Sequence, residues 1–368
     1  MKEQNWQQNL KSKIKKLKES PVFALTLGAK ELCHSNFWKW LIDKDKNFAK
    51  VFFGDEIDVA KINCVEREKE HMDLVVKMEK GNYVIENKLK SLPDKEQLEK
   101  YSEKLNKNKE KVFAKGKIVS VLEPTFDIPE GWEPLSYEDV LNGIEKMYLS
   151  ATLTDYDKIV VEGYIESSKN MLDVVGESCS KIGNTMNCSN LGKLSEVKLD
   201  DVAKKLQADQ FVHFLNDNIR EKLEAMVNKN LWKVVIQPGF TRKDSLVDIR
   251  FKKEEDGNEL SLGVQIQGDK FKRLISTTNV PQASKKEKAE RIFKIYHSMG
   301  WLNDYDVSSK IMFDKQTKQK NDYCSYVTDK YTLVYQYFNI ENYDFNVLKD
   351  EILSHLKFAS DIIKHKNL

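Results

Sequence analysis

The chain has 368 residues, of which 40% are hydrophobic and 32% charged, with aromatic residues spread along its whole length. That profile belongs to a soluble globular protein and excludes a disordered one, and the length favours two cores over one. Sixty Lys and Arg against 58 Asp and Glu leave a formal net charge of +2, so any binding of nucleic acid must come from local patches such as the Lys-rich start or the segment 104–117.

In chain order, residues 4–19 read as a basic amphipathic helix. A second helix is predicted from Pro21 through Leu25, Leu27, Leu32, Phe37, Trp38 and Leu41, and it carries Glu31, His34 and Ser35. Alternating stretches at 61–68, 72–79 and 82–88 predict three strands. The last two flank Glu79-Lys80-Gly81-Asn82, the signature of a β-hairpin. A charged helix from Asp94 to Asn108 follows, then a buried strand over Ile118–Leu122 ended by Pro124, then helices near 137–148 and 154–175. The chain next turns polar at GESCSKIGNTMNCSNLGK, rich in Gly, Ser and Asn. The predicted organisation is therefore a first domain over 1–175, a linker over 176–197 and a second domain over 198–368. The second half predicts a long helix near 198–229, strands near 231–237, 245–252 and 259–267, a helix near 284–298, strands near 308–313 and 324–337, and a closing helix near 345–364. The fold class is α/β (α+β): a mixed sheet flanked by helices, followed by a second α+β domain.

No stretch approaches the roughly 20 apolar residues of a membrane span, and the basic start lacks the apolar core of a signal peptide, so a cytoplasmic location with no membrane partner is expected. The five cysteines show no CxxC pair and read as reduced thiols. Phosphate-binding loops of the GxxxxGK[ST] kind, GxGxxG, HExxH and GxSxG are all missing, so nucleoside-triphosphate hydrolysis, dinucleotide binding, zinc proteolysis and serine hydrolysis lack their usual marks.

The chemistry concentrates on the hairpin. If it closes over Lys80-Gly81, Val75 faces Glu86 and Asp73 faces Lys88, and all three polar groups share one face while Leu74, Val76, Met78, Tyr83 and Ile85 point the other way. Asp73 and Glu86 would then be diagonal neighbours, roughly 7–8 Å apart at the backbone, a span two carboxylates close onto one divalent ion such as Mg²⁺, with Mn²⁺ as its substitute. Lys88, on the same face, can orient or deprotonate an attacking water and neutralise developing charge, which is what phosphodiester hydrolysis needs. The competing reading makes Asp73 and Glu86 exposed surface residues, with Lys88 a cross-strand salt-bridge partner contributing under about 1 kcal/mol.

The segments His71-Met72-Asp73-Leu74-Val75-Val76 and Val84-Ile85-Glu86-Asn87-Lys88 resemble the PD-(D/E)XK nuclease superfamily, without the proline before Asp73. Flanking segments resemble a group of uncharacterised bacterial members: Gln97-Leu98-Glu99-Lys100-Tyr101 after the Glu-x-Lys strand, the strand at 118–122, Gly131-Trp132, Ser136-Tyr137, and Glu31-Leu32-Cys33-His34-Ser35 upstream. The resemblance covers residues 30–145. It implies a restriction-endonuclease-like core and a Mg²⁺-dependent endonuclease, with Asp73 and Glu86 as metal ligands, Glu31 completing the metal site and DNA as substrate. It also implies a role in defence against foreign DNA. Gln97 is expected to orient substrate or water, and Tyr101, His34 and Ser35 are candidates for contacting substrate; for His34 beside Phe37 and Trp38, a packed core histidine is the alternative. An RNA-cleaving nuclease or toxin, and an inactive nucleic-acid or protein interaction module, are the rival functions, and a homo-oligomer is open. In the second half, Asp248, a turn at Asp256-Gly257 and Gln265 echo the first hairpin, but glutamine brings no charge for a metal, so a degenerate site or coincidence is preferred to a second active centre. Lys270–Arg273 with Lys285, Lys286, Lys288, Arg291, Lys294, Trp301 and Tyr305 could make a basic aromatic surface, with a solvated amphipathic helix as the preferred reading.

Overall fold

A computed structural model describes residues 2–25, 31–69, 71–89, 93, 95–107, 112–121, 123–124, 126–182, 192–241, 244–278, 284–302, 323–328, 331–340 and 344–366. The chain divides into two compact units, Met1–Lys181 with Leu191–Lys205, and Ile182–Asn190 with Leu206–Leu368.

The first unit opens with helices α1 (Lys2–Glu19), α2 (Pro21–Leu25), α3 (Glu31–Lys44) and α4 (Lys50–Phe53), with single 3₁₀ turns at Lys46–Ala49, Gly54–Glu56 and Val59–Lys61. The helix predicted from Pro21 to Leu41 is thus two helices, α2 and α3. Strands β1 (Ile62–Lys69), β2 (Met72–Met78) and β3 (Asn82–Lys88) are each antiparallel to the next. Helix α5 (Lys95–Lys107) then carries the chain to β4 (Phe113–Ser120), which lies parallel to β3, and β5 (Trp132–Ser136) lies parallel to β4. The sheet is therefore mixed, in the order β1-β2-β3-β4-β5, as the restriction-endonuclease-like expectation requires. Strand β5 was legible only as a loop, because Pro134 sits within it; an edge strand tolerates the missing N–H.

Both faces of this sheet are covered. Helix α5 lays Leu98, Tyr101 and Leu105 on the face made by Val75, Val84, Ile118 and Trp132. Each of those two leucines contributes about 1.5–3 kcal/mol by leaving water. On the other face α3 packs across β1, β2 and β3. Helix α6 (Tyr137–Met147) starts where the Ser-Tyr signal predicts, because the Ser136 hydroxyl accepts the Asp139 N–H and caps it. Helices α7 (Asp155–Ile182), which runs past the predicted end at 175, and α8 (Gly192–Ser195) follow, and α9 (Asp200–Met226) carries the chain into the second unit.

That unit holds β6 (Lys233–Phe240), β7 (Ser245–Glu255), β8 (Asn258–Gln267), β9 (Lys270–Thr277), α10 (Lys285–Ser298), β10 (Cys324–Val327), β11 (Thr332–Asn339) and α11 (Phe345–Lys366). All strand pairs are antiparallel, in the order β10-β11-β9-β8-β7-β6. One face of the sheet buries Val247, Ile249, Phe251, Val264 and Ile266 against the helices. The Asp256-Gly257 turn is as expected, both residues having positive φ (50° and 75°). The strand expected near 308–313, and Tyr305, lie outside the described residues. The proposed basic aromatic surface is not one: Lys270–Arg273 opens a strand, Arg273 is buried with its guanidinium donating to the Trp301 carbonyl, and Trp301 is fully buried.

Candidate active site

The hairpin register differs from the expected one. Leu74 pairs with Ile85 and Lys77 with Asn82, and the Met78 N–H bonds the Gly81 carbonyl at 3.2 Å. The turn therefore lies over Glu79-Lys80, because Gly81 closes it as a left-handed residue with φ 88°. Partners shift by two positions, which preserves parity. Continued past Leu74, that register would set Asp73 opposite Glu86 rather than opposite Lys88.

The ladder gives way at this point, and side chains take over. Asp73 Oδ2 accepts the backbone N–H of Asn87 at 2.7 Å. Glu86 is 2% exposed, Lys88 9% and Asp73 half-buried, so Glu86 is not the exposed surface residue of the competing reading. Lys88 Nζ lies 2.9 Å from Glu86 Oε1 and donates to Gln97 Oε1 at 2.8 Å. The Gln97 amide donates in turn to the Tyr101 hydroxyl at 2.5 Å, and that hydroxyl donates to the His71 carbonyl at 2.6 Å. Glu86, Lys88, Gln97 and Tyr101 thus form one continuous chain that spans β3 and α5, with Asp73 facing it from β2.

Electrostatics set these carboxyls apart. Burial pushes Glu86 up to about 7, with Lys88 pulling it down and Asp73 adding to the rise. Asp73 is also raised, mainly by burial, against the opposing pull of the Asn87 amide and Lys88, with Glu31 and Glu68 adding to the rise. Glu86 Oε2 is buried with no hydrogen-bond partner. A buried oxygen in that condition costs about 1–3 kcal/mol or more, and two crowded carboxylates are what a cation relieves. Among the described residues no group of three or more His, Cys, Asp or Glu is arranged to hold an ion. A Mg²⁺-type site, which takes one or two protein carboxylates and fills the rest from water and substrate phosphate, needs no third, so Asp73 and Glu86 fit it.

The remaining predicted residues divide. Glu31, the first residue of α3, is close enough to act on the Asp73 charge. Ser35 bonds the Glu31 carbonyl at 3.1 Å and receives the Asn87 amide at 3.1 Å, so it supports the back of the site. His34 stands in the core: it is 2% exposed, its Nδ1 lies 2.7 Å from the Tyr164 hydroxyl, its ring packs against Tyr137 and Trp38, and burial lowers its pKa to about 4.

Three residues were not singled out for these parts. Asn87 donates to the Glu31 carbonyl at 2.8 Å and accepts the Tyr137 hydroxyl, tying β3 to α3 and α6; a polar residue between Glu86 and Lys88 on the helix-covered face was the available signal. Tyr137 stood in the Ser-Tyr segment only as a marker of similarity. Glu68 lies between the pairs Arg67↔Leu74 and Lys69↔Met72, in left-handed backbone (φ 53°) that a non-glycine residue rarely adopts. Nothing in the sequence announces that conformation.

Residues 22–237 match the family model described as the PD-(D/E)XK nuclease superfamily. No curated protein and no solved structure matches the chain.

Proposed function

The chain belongs to the PD-(D/E)XK nuclease superfamily, and from that premise we propose that its first unit hydrolyses phosphodiester bonds, most readily in DNA, with Mg²⁺ held by Asp73 and Glu86 and with Glu31 adding to the negative charge that favours the ion. Nucleases of this superfamily generally use divalent metal ions. When bound, the ion supplies Lewis-acid polarisation of a phosphate oxygen and neutralises charge that builds up in the transition state.

The protein's own groups do the rest. Lys88 Nζ, fixed between Glu86 and Gln97, donates to the attacking water or to the phosphate oxygen and sets the direction of attack. Gln97 positions Lys88, and Tyr101, anchored on the His71 carbonyl, fixes which way the Gln97 amide points. Asn87 holds the strand bearing Glu86 and Lys88 against α3 and α6, so the constellation rests on rigid elements. Targeting or assembly falls to the second unit.

The observation that supports this reading best is the buried, partnerless Glu86 Oε2 beside a second raised carboxyl. The test is cleavage of matched labelled DNA and RNA with Mg²⁺, Mn²⁺ or EDTA. DNA cut only with metal is the expected result. Preferential cutting of RNA moves the substrate assignment, and a folded protein that cuts neither with either ion overturns the hydrolytic reading.

A further inference from the structure

The second sheet packs most of its buried apolar residues on one face, and the opposite face, which buries Leu274, carries a cleft of about 600 Å³, within the size range of small-molecule sites. Its floor is polar and buried: Asp248, Gln265 and Lys272 are 7%, 7% and 8% exposed. Asp248 Oδ1 receives Arg250 at 2.5 Å and the Gln265 amide at 2.7 Å. Lys272 Nζ bonds Gln265 Oε1 at 3.1 Å and also Gln267 Oε1. The rim is aromatic, with Tyr326 and Tyr331 exposed by 56% and 38% and their ring centroids 5.9 Å apart.

The helices already complete a core on the other face, so that core does not require this network, and burying charge and amide groups is costly. The charges at the cleft balance, two acids against two cations, but the cations are unevenly matched. Asp248 is matched by Arg250, while the hydrogen bonds of the Lys272 ammonium go to neutral amide oxygens, and Arg250 Nε is buried without a partner. Glu259, also at the cleft, is held by Lys252 at 2.8 Å. Burial together with nearby Lys270 depresses the Lys272 ammonium, a penalty that an incoming anion relieves.

We infer that this cleft binds a nucleotide unit, with its phosphate on Lys272 and Arg250 and its base against Tyr326 and Tyr331. Cations set below exposed aromatic rings suit a ligand that is both anionic and planar, the combination by which single nucleotides of a strand are gripped. A neutral sugar would use the tyrosines and leave the cations unmatched. The inference concerns the second unit alone and does not depend on hydrolysis by the first.

The test uses the full chain carrying Glu86→Gln, in EDTA, titrated with 5′-mononucleotides, a short single-stranded oligonucleotide and a neutral oligosaccharide. Binding of the oligonucleotide, weakened at least about five-fold by Tyr326→Ala or Tyr331→Ala and at least about ten-fold by Lys272→Gln, is expected. The two tyrosines are exposed, so their variants keep the question answerable if Lys272→Gln fails to fold. Mononucleotides binding as well as the oligonucleotide identify a free nucleotide as the ligand; oligonucleotide binding alone identifies a strand. No binding, binding indifferent to the rim variants, or equal binding of the oligosaccharide overturns the inference. Cleavage is scored separately with the Glu86 wild type, so a failure here is distinct from a failure of the nuclease reading.

Discussion

Each unit sets an aspartate, half-buried in the first and buried in the second, beside a longer polar side chain of the next antiparallel strand, with a lysine in reach: Asp73, Glu86 and Lys88 in the first, Asp248, Gln265 and Lys272 in the second. The side chain beside the aspartate is a carboxylate in the first and an amide in the second, and the second adds Arg250 on the aspartate and takes its lysine from a third strand. In the first cluster, burial raises both acids and leaves Glu86 Oε2 without a partner, a deficit of positive charge. In the second, Gln265 donates to Asp248 and Arg250 pairs with it, and the Lys272 ammonium bonds only amide oxygens. A second carboxylate beside the aspartate suits a cation, whereas an amide with added cations suits an anion.

The largest effect tests this directly. Glu86→Gln gives the first cluster the amide of the second, and metal-dependent cleavage should fall by roughly 10²–10³-fold or more. Gln265→Glu, the reciprocal change, should leave cleavage within about two-fold in the same assay. Equal losses from the two variants would place the chemistry elsewhere.

Stability sharpens the contrast next. The folded-state pKa of Glu86 is about 7 against an ordinary 4.5, so the folded protein holds this proton more tightly than the unfolded one. Stability from this group is intact below about pH 4.5 and declines as pH rises to about 7, by on the order of 3 kcal/mol in metal-free protein. His34, lowered to about 4, acts in the opposite sense: its neutral form is favoured by folding, so stability rises with pH between about 4 and 6.5. Comparing wild type with Glu86→Gln in EDTA isolates the Glu86 contribution. Hydrogen exchange of the first unit should show the variant more protected at pH 8 and no different at pH 4, with Mg²⁺ closing the gap for wild type.

How much of this was legible in the sequence follows from the same residues. Alternation on β2 and β3 sufficed to put Asp73, Glu86 and Lys88 on one face, because parity survives a shift of two. The register itself was not legible, since a Gly after Lys80 serves equally inside a two-residue turn or as its closing left-handed residue, and only pairing across the sheet decides. Strand β9 escaped because Lys270, Lys272 and Arg273 look like solvated charge; its place beside β8 and β11 buries the last two. His34 could be read either way from sequence, and its surroundings came from Tyr164, 130 residues away.

A smaller effect compares the two sheets as packed objects. A Cβ added to Gly263 would lie 2.2 Å from the Ile249 carbonyl oxygen and 2.7 Å from Arg250 Cα, whereas one at Gly116 would meet the Trp132 ring at 2.3 Å. Backbone yields less than a side chain. Gly263→Ala should therefore destabilise the second unit by about 3 kcal/mol, near the upper end for overpacking, and Gly116→Ala should destabilise the first by less. Denaturant dependence of exchange, followed in each unit separately, reads both; a larger loss from Gly116→Ala would mean that the Trp132 ring, held by its Nε1 on Ser102 at 2.9 Å, is as rigid as backbone.

The smallest effect probes Tyr101, whose ring packs with Leu98, Leu105 and Trp132 while its hydroxyl links Gln97 to the His71 carbonyl. Tyr101→Phe keeps the ring and removes both hydrogen bonds, so the Gln97 amide loses the contact that fixes its direction, and Lys88 loses a reliably oriented acceptor. Because Tyr101 acts through Gln97 and Lys88, the loss should fall on kcat, by about ten-fold, with KM nearly unchanged. Tyr335→Phe, beneath the Lys272 ammonium at 4.7 Å from the ring centroid, removes a hydroxyl from the second cluster and should leave kcat untouched. A tyrosine that served only to pack α5 would tolerate Phe with no kinetic change, so an unaltered kcat for Tyr101→Phe would reduce the Gln97–Tyr101 link to scaffolding and leave Lys88 positioned by Glu86 alone.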